Sequence, residues 1–255
     1  MKKKQLLNRF GEIGRNLSQD EDAIALLGLG SIGKELERLD DYSDLDFFVI
    51  VKNGKQKRFI DDLSWLDTNS SKVGYAFRNS NDGYKVLYDD GIYGEFAIFD
   101  LDAYAKAEFT EGRFEWIRDG YELNSKPKKE ETLDRLSDWY FPINEAITNI
   151  YIGLLRYFRG EKLAAFVFIE RYAFDNVLRV FHLIEKEQNY FPDPFSNHRR
   201  FELRYPINSK EVLSSLKGYD NILLSAKNLF AFIQKYWEIN PVMAREIIKL
   251  LERKI

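Results

Sequence analysis

The spacing of hydrophobic and polar positions divides the chain into a mixed N-terminal part and a helical C-terminal part. A first amphipathic helix is predicted by apolar residues three or four positions apart: Leu6, Phe10, Ile13 and Leu17. The apolar run 23–29 is short enough to be a buried strand. Further strands are predicted by apolar, β-branched and aromatic runs separated by polar turns, at 44–51, 73–77, 84–88 and 92–101. We therefore expect a mixed sheet of four or five strands.

The composition changes near residue 125, where a Ser-, Lys-, Pro- and Glu-rich run at 125–131 predicts a linker. Beyond it, long helices are predicted at 142–160, 161–187, 219–237 and 242–253. Asn240 and Pro241 suit the N-cap and first position of the last helix. The predicted fold class is α+β (mixed α/β), with a sheet domain at 1–125 and an α-helical bundle at 130–255.

One stretch, 26–50, combines features of a phosphate site and of a metal site. Gly30 and Ser31 end the first strand and precede a predicted helix at 32–39, and backbone N–H groups at such junctions attract phosphate. Asp44 and Asp46 begin the next strand. Because alternate strand residues share a face, the two carboxylates project together and repel each other unless a cation lies between them. Oxygen-only ligands favour Mg²⁺.

The order Gly30-Ser31, then Asp44-Leu45-Asp46 entering an apolar strand, resembles the signature of polymerase-β-like nucleotidyltransferases, most closely the lincosamide and aminoglycoside adenylyltransferases. Ser31 and Asp44 are 44 − 31 = 13 positions apart. That is slightly longer than the roughly twelve of the family pattern, so an insertion of one or two residues is expected. The resemblance implies a nucleotidyltransferase domain in which Asp44 and Asp46 are catalytic and bind Mg²⁺, with Gly30 and Ser31 at the phosphates of ATP.

Glu95 is a carboxylate inside an otherwise apolar predicted strand, where a charge is disfavoured unless it is paired or bound to a metal. The resemblance implies a third carboxylate at this place, acting as a metal ligand or as the general base. A glutamate on an edge strand facing water is the alternative. Asp100 is expected on the opposite face, capping a short helix at 102–107.

Basic residues supply weaker candidates for phosphate contacts. Lys34 follows Ser31 by three positions and is predicted to bind the nucleotide. Within the Pro- and aromatic-rich segment 189–206, the run His198-Arg199-Arg200 suits a triphosphate or the substrate, and a packed surface loop is an equal alternative.

Charge and composition restrict the partners. The chain of 255 residues has a net charge of −3 and no basic strip, which disfavours a nucleic-acid template. It contains no cysteine, which is compatible with the cytoplasm. No stretch predicts a membrane span.

With these features, the resemblance implies an Mg²⁺-dependent enzyme that moves AMP from ATP onto a hydroxyl of a small molecule and releases pyrophosphate. A lincosamide or aminoglycoside acceptor, and hence antibiotic resistance, is implied only by the resemblance. The alternative is a regulator or antitoxin-like protein with the same fold that acts on or binds a protein partner. A homodimer is compatible with the sequence.

Overall fold

The computed structural model describes residues 2–127 and 136–253, and the chain divides into two compact units, Met1–Glu131 and Thr132–Ile255. The first unit contains the sheet and the second is helical. Most of the predicted linker lies in or beside residues 128–135, which are outside the described part of the chain.

The first unit is built on six strands, β1–β6, with three α-helices, α1–α3, among them. In chain order these are α1 Lys2–Ser18, β1 Ala23–Gly28, β2 Leu45–Val51, α2 Gln56–Asp61, β3 Val73–Arg78, β4 Gly83–Tyr88, β5 Tyr93–Asp100, α3 Leu101–Tyr104 and β6 Arg113–Ile117. The strand order is β3-β4-β5-β2-β1-β6. Only β2 and β5 pair in parallel, so the sheet is mixed, as predicted.

The expected count of four or five strands was too low, because β6 was not predicted. This strand has an irregular pattern of charged and aromatic residues, and none of its side chains is fully buried. It pairs antiparallel with β1, where Leu26 lies opposite Trp116. Backbone pairing to a buried neighbour, rather than an alternating pattern of its own, makes this segment a strand.

One face of the sheet is covered by α1. The four apolar residues that predicted this helix are all fully buried, and they pack on Phe47, Val49 and Phe96. Burying a side chain of this size contributes about 1.5–3 kcal/mol to folding, so this face carries the main core of the unit.

The other face is covered only in part. Phe48, Phe99 and Phe109 meet edge to face over the carboxyl-terminal halves of β2 and β5, with Phe48 centred 4.9 Å from Phe99. Tyr104 stacks on Phe109 at 5.6 Å. Toward the amino-terminal ends of β2 and β5, this same face carries Asp46 and Glu95 instead.

The helix predicted at 32–39 was wrong. Two separate 3₁₀ turns, Gly30–Ile32 and Leu36–Arg38, occupy this stretch. Gly33 interrupts them, since a Cβ there would overlap the backbone of Gly28, only 2.8 Å from its carbonyl carbon. The chain therefore doubles back against β1 and has no room for a regular helix.

The second unit is helical, as predicted. Its elements are α4 Tyr140–Phe158, α5 Lys162–Phe166, a π-helical segment Val167–Ala173, α6 Phe174–Arg179, α7 Phe201–Arg204, α8 Ser209–Leu213, α9 Ile222–Tyr236 and α10 Pro241–Leu251. None of the helices formed by the described residues is long and apolar enough to span a bilayer.

The helix predicted at 161–187 is shorter and less regular than expected. The α5, π and α6 segments are continuous but stop at Arg179, because the backbone of Val180 (φ −116°, ψ 9°) leaves the helical region. The predicted start of the last helix is confirmed. The side chain of Asn240 accepts hydrogen bonds from the N–H groups of Val242 (2.9 Å) and Met243 (3.3 Å).

Candidate functional site

The paired aspartates lie at the start of β2, on the side away from the main core. Leu45 and Phe47 are buried in that core, whereas Asp44 and Asp46 are exposed. The alternation of the strand thus places the two carboxylates on one face, as the sequence predicted.

The turn at 40–43, before β2, positions the two aspartates. The Asp40 carboxylate accepts hydrogen bonds from the Tyr42 N–H (2.8 Å) and the Ser43 hydroxyl (3.1 Å). The Tyr42 N–H is the main cause that lowers the pKa of Asp40. An ionised Asp40 therefore stabilises the turn that leads into Asp44. This positioning role was not predicted from the sequence, although Asp40 is followed by residues typical of an Asx turn.

Glu95 is the direct neighbour of Asp46. In the parallel pairing of β2 with β5, the Cα of Asp46 lies opposite that of Glu95, on strands about 4.8 Å apart. The two side chains share the face that carries Phe48 and Phe99, so the register places Glu95 beside Asp46, whereas Asp44 precedes β2 and lies outside these paired positions.

The Glu95 carboxylate is held by two partners on the other side of β5. Asn79 Nδ2 donates to Oε1 at 2.9 Å, and Lys85 Nζ lies 3.5 Å from Oε2. The side chain is 44% exposed, so this ion pair is partly solvated. Lys85 was not identified from the sequence, although a β-hairpin turning at Asp90 would have paired it with Glu95.

The donor set suits a hard cation in its chemistry, because it offers only carboxylate oxygens. Its side chains are not gathered into a metal cluster. Within 2–127 and 136–253, no three acidic or histidine side chains are grouped closely enough to hold an ion. The Glu95 carboxylate is instead engaged by Lys85 and Asn79.

The predicted phosphate loop follows β1, the strand next to β2. Gly30 adopts φ +51°, in the left-handed region that favours glycine, and Ser31 is buried at 6% exposure in a 3₁₀ turn. The Arg38 side chain lies over Gly30 and pairs with Glu35 at 2.6 Å. The loop is therefore close-packed, and it is not the amino terminus of a regular helix, as had been expected.

The other candidates of the first unit have local partners. Lys34 Nζ lies 3.2 Å from Glu111 Oε1, and its side chain is 63% exposed. Asp100 accepts a hydrogen bond from the Ala103 N–H (3.0 Å) as the N-cap of α3, which confirms the predicted cap. That helix is shorter than expected.

The basic run of the second unit is engaged within its own loop. Arg199 and Arg200 both approach Asp193, at 3.1 and 3.5 Å, and Arg200 Nε donates to the Phe191 carbonyl at 2.6 Å. His198 Nε2 lies 2.7 Å from Asp175 Oδ1. These contacts support the packed-loop alternative.

Comparison with known proteins gives low-scoring structural likenesses. No family model matches the chain, and no curated protein matches it. It is similar to a solved aminoglycoside 6-adenyltransferase from Bacillus subtilis, with 16% identity over 96% of this chain and 90% of that one, at a TM-score of 0.37. It is also similar to a STING-associated CdnE c-di-GMP synthase from Capnocytophaga granulosa, with 11% identity over 98% and 79% of the two chains, at a TM-score of 0.30. With scores this low, neither likeness carries a functional inference for this chain.

Proposed function

We propose that the protein is a nucleotidyltransferase that uses Asp44, Asp46 and Glu95 to transfer AMP from ATP onto a hydroxyl of a small molecule. One observation carries the proposal. Asp46 and Glu95 are register partners on adjacent parallel strands, with Asp44 two residues away on the same face. Neighbouring carboxylates on an open part of a sheet favour the binding of a cation, which would compete with Lys85 for Glu95.

The three carboxylates would hold Mg²⁺, which when bound stabilises negative charge on phosphate oxygens. The Gly30–Ser31 backbone and the Ser31 hydroxyl would contact the terminal phosphates, on the β1 side of the carboxylates. Glu95 would either bind the metal or, as general base, receive the proton of the acceptor hydroxyl. That oxygen attacks the α-phosphorus in line, its bond to phosphorus forms as the bond to the bridging oxygen breaks, and pyrophosphate leaves.

The acceptor class follows only from the sequence resemblance, which favours a lincosamide or an aminoglycoside. A role for Lys34 at the phosphates is retained within this proposal, with its ion pair to Glu111 exchanged for the nucleotide. The low net charge of the chain agrees with a small, non-polymeric acceptor.

The test is a pyrophosphate-release assay with ATP, Mg²⁺ and a panel of lincosamides, aminoglycosides and other hydroxylated compounds. We expect release that depends on both Mg²⁺ and an acceptor, and a loss of at least about a hundredfold in Asp46→Asn. The variant should remain as stable as the wild type or become slightly more stable, because it relieves like-charge repulsion. Asp119→Asn, an exposed turn residue, is the matched control. Near-wild-type turnover in Asp46→Asn would exclude the proposed site.

A further inference from the structure

The sheet face that carries Glu95 also carries an exposed patch of large apolar side chains on β3, β4 and β5. Tyr75 is 56% exposed, Phe77 52%, Leu87 41% and Tyr93 36%. We call these four residues the aromatic face. Large apolar side chains grouped at the surface mark binding sites more often than chance exposure does.

The strand registers place the aromatic face directly beside the carboxylates. In one row across the sheet, Phe77 lies opposite Lys85, Lys85 opposite Glu95, and Glu95 opposite Asp46. The aromatic face thus reaches Glu95 through the side chain of Lys85.

A second row runs parallel to the first, two residues along each strand. Tyr75 lies opposite Leu87, and Leu87 lies opposite Tyr93. Because alternate residues share a face, Tyr93 projects beside Glu95 on β5. The aromatic face and the carboxylates therefore form one continuous surface.

These side chains do not contribute to the core. The residues that alternate with this face on β4 and β5, among them Val86 and Phe96, point to the opposite face and are buried there. Packing of the unit does not account for four large apolar side chains on the outer face of these strands, where polar residues are usual.

The strand order separates two binding regions. The Gly30–Ser31 loop follows β1, Asp44 and Asp46 lie just before and within β2, Glu95 lies on β5, and the aromatic face extends from β5 over β4 to β3. With the nucleotide phosphates at the β1 side, the aromatic face lies on the far side of the carboxylates, where an attacking hydroxyl has to come from.

We propose that the aromatic face is the acceptor-binding site, and that the acceptor is a hydroxylated molecule with a flat apolar ring face. This inference rests on the proposed function. The ring lies on Tyr75, Phe77 and Tyr93, and the reacting hydroxyl reaches Glu95. Rings bind well to aromatic side chains, and the tyrosine hydroxyls offer polar contacts at the edge.

The size of the patch favours a small molecule over a second copy of the chain. Two strand spacings and two residues along a strand give roughly 10 by 7 Å. Four side chains are also far fewer than the roughly 20–30 residues that each partner contributes to a stable protein interface.

Binding of phenyl β-glucoside, followed by saturation-transfer NMR and titration, tests the inference. We expect the double variant Tyr75→Ser/Phe77→Ser to bind this probe at least about tenfold more weakly than the wild type, as the loss of two ring contacts implies. The single variant Tyr75→Phe, which keeps the ring, should bind nearly as well as the wild type. Tyr172→Ser, at an exposed tyrosine of the second unit, is the matched control.

Titration of the same proteins with ATP and Mg²⁺ separates this inference from the proposed function. Weakened binding of phenyl β-glucoside together with intact ATP binding in the double variant supports the aromatic face as an acceptor site. Failure of the wild type to bind the probe, or equal binding by wild type and double variant, overturns it while leaving the nucleotide site intact. A dimer that dissociates in the double variant, seen by analytical ultracentrifugation, would instead make the face an interface between copies and overturn the inference as well. Absence of Mg²⁺-dependent ATP binding in every protein contradicts the proposed function itself.

Discussion

At the scale of single residues, the site depends on which carboxylate serves as the third one. Glu95 shares a face and a register position with Asp46, whereas Asp100 caps α3. We predict that Glu95→Gln lowers turnover by about a hundredfold or more, with nucleotide binding nearly unchanged, because the amide keeps the shape but cannot accept a proton.

Asp100→Asn is the matched control for that prediction. Asparagine is as good an N-cap as aspartate, so stability and turnover should both stay near the wild-type values. Steady-state kinetics with separate KM and kcat values, together with thermal unfolding, measure both variants. A large loss of turnover in Asp100→Asn, with turnover unaffected in Glu95→Gln, would mean that Asp100 and not Glu95 is the third carboxylate.

A second residue-scale prediction concerns pH. Burial raises the pKa of Tyr104 from 10.0 to about 12, and its hydroxyl donates to the Asn124 carbonyl. Since the folded state holds this proton more tightly than the unfolded state, the stabilisation is complete below pH 10 and is lost as the pH rises toward 12. This difference in pKa corresponds to about 2–3 kcal/mol of the free energy of unfolding.

Urea unfolding between pH 8 and pH 12 measures this effect. Tyr104→Phe should lose less stability than the wild type above pH 10, because it lacks the ionising group. Tyr42→Phe, at an exposed position, should keep the wild-type dependence. If the unfolding free energies of Tyr104→Phe and the wild type fell in parallel with rising pH, the loss of stability would not come from ionisation of Tyr104.

The sequence predicts correctly the placements that are set by local structure. The exposure of Asp44 and Asp46, on either side of the buried Leu45, follows from the period of a strand, and the Asp100 cap follows from its own neighbours. Lys85 and Asn79 were missed because their role depends on the register with Glu95, which is set by pairing between strands rather than by local sequence.

At the scale of elements, the loop after β1 depends on glycine. Gly33 lies against the backbone of Gly28, and its N–H donates to the carbonyls of Leu29 and Gly30 at 3.1 Å. We predict that Gly33→Ala costs about 1–3 kcal/mol and weakens ATP binding, because the loop must open to admit a Cβ.

Gly54→Ala provides a comparison with a similar loss of stability at a different place. Gly54 has φ +76° in an exposed turn with free space around it, so alanine there costs about 1–2 kcal/mol through backbone strain alone. Nucleotide titration and thermal unfolding of both variants should show weaker ATP binding only for Gly33→Ala. Equal binding by the two variants would mean that the loop does not contact the nucleotide.

The helix wrongly predicted at 32–39 shows why this element could not be inferred. Its residues suit a helix by propensity, and the close approach of Gly33 to Gly28 is a tertiary contact that overrides them. The helix α1 was predictable because its apolar stripe has the helical period over about three turns.

At the scale of the whole molecule, the fold class could be predicted from the sequence, but the number and pairing of the strands could not. A mixed sheet followed by helices was predictable from the change in period near residue 125. The sixth strand was not, since β6 takes its conformation from pairing with β1. The parallel pairing that joins Asp46 to Glu95 crosses 95 − 46 = 49 positions and needed the structure.

The central claim is that the α-phosphoryl group, carrying its nucleoside, is what the protein transfers. Its most direct test is product analysis after incubation with Mg²⁺, an acceptor that supports pyrophosphate release, and ATP labelled at either the α- or the γ-phosphate. We predict that α-label appears in the acceptor product and γ-label in pyrophosphate, and that both disappear in Asp46→Asn but not in Asp119→Asn. Label from the γ-phosphate in the acceptor, or unchanged α-label transfer by Asp46→Asn, would contradict the account.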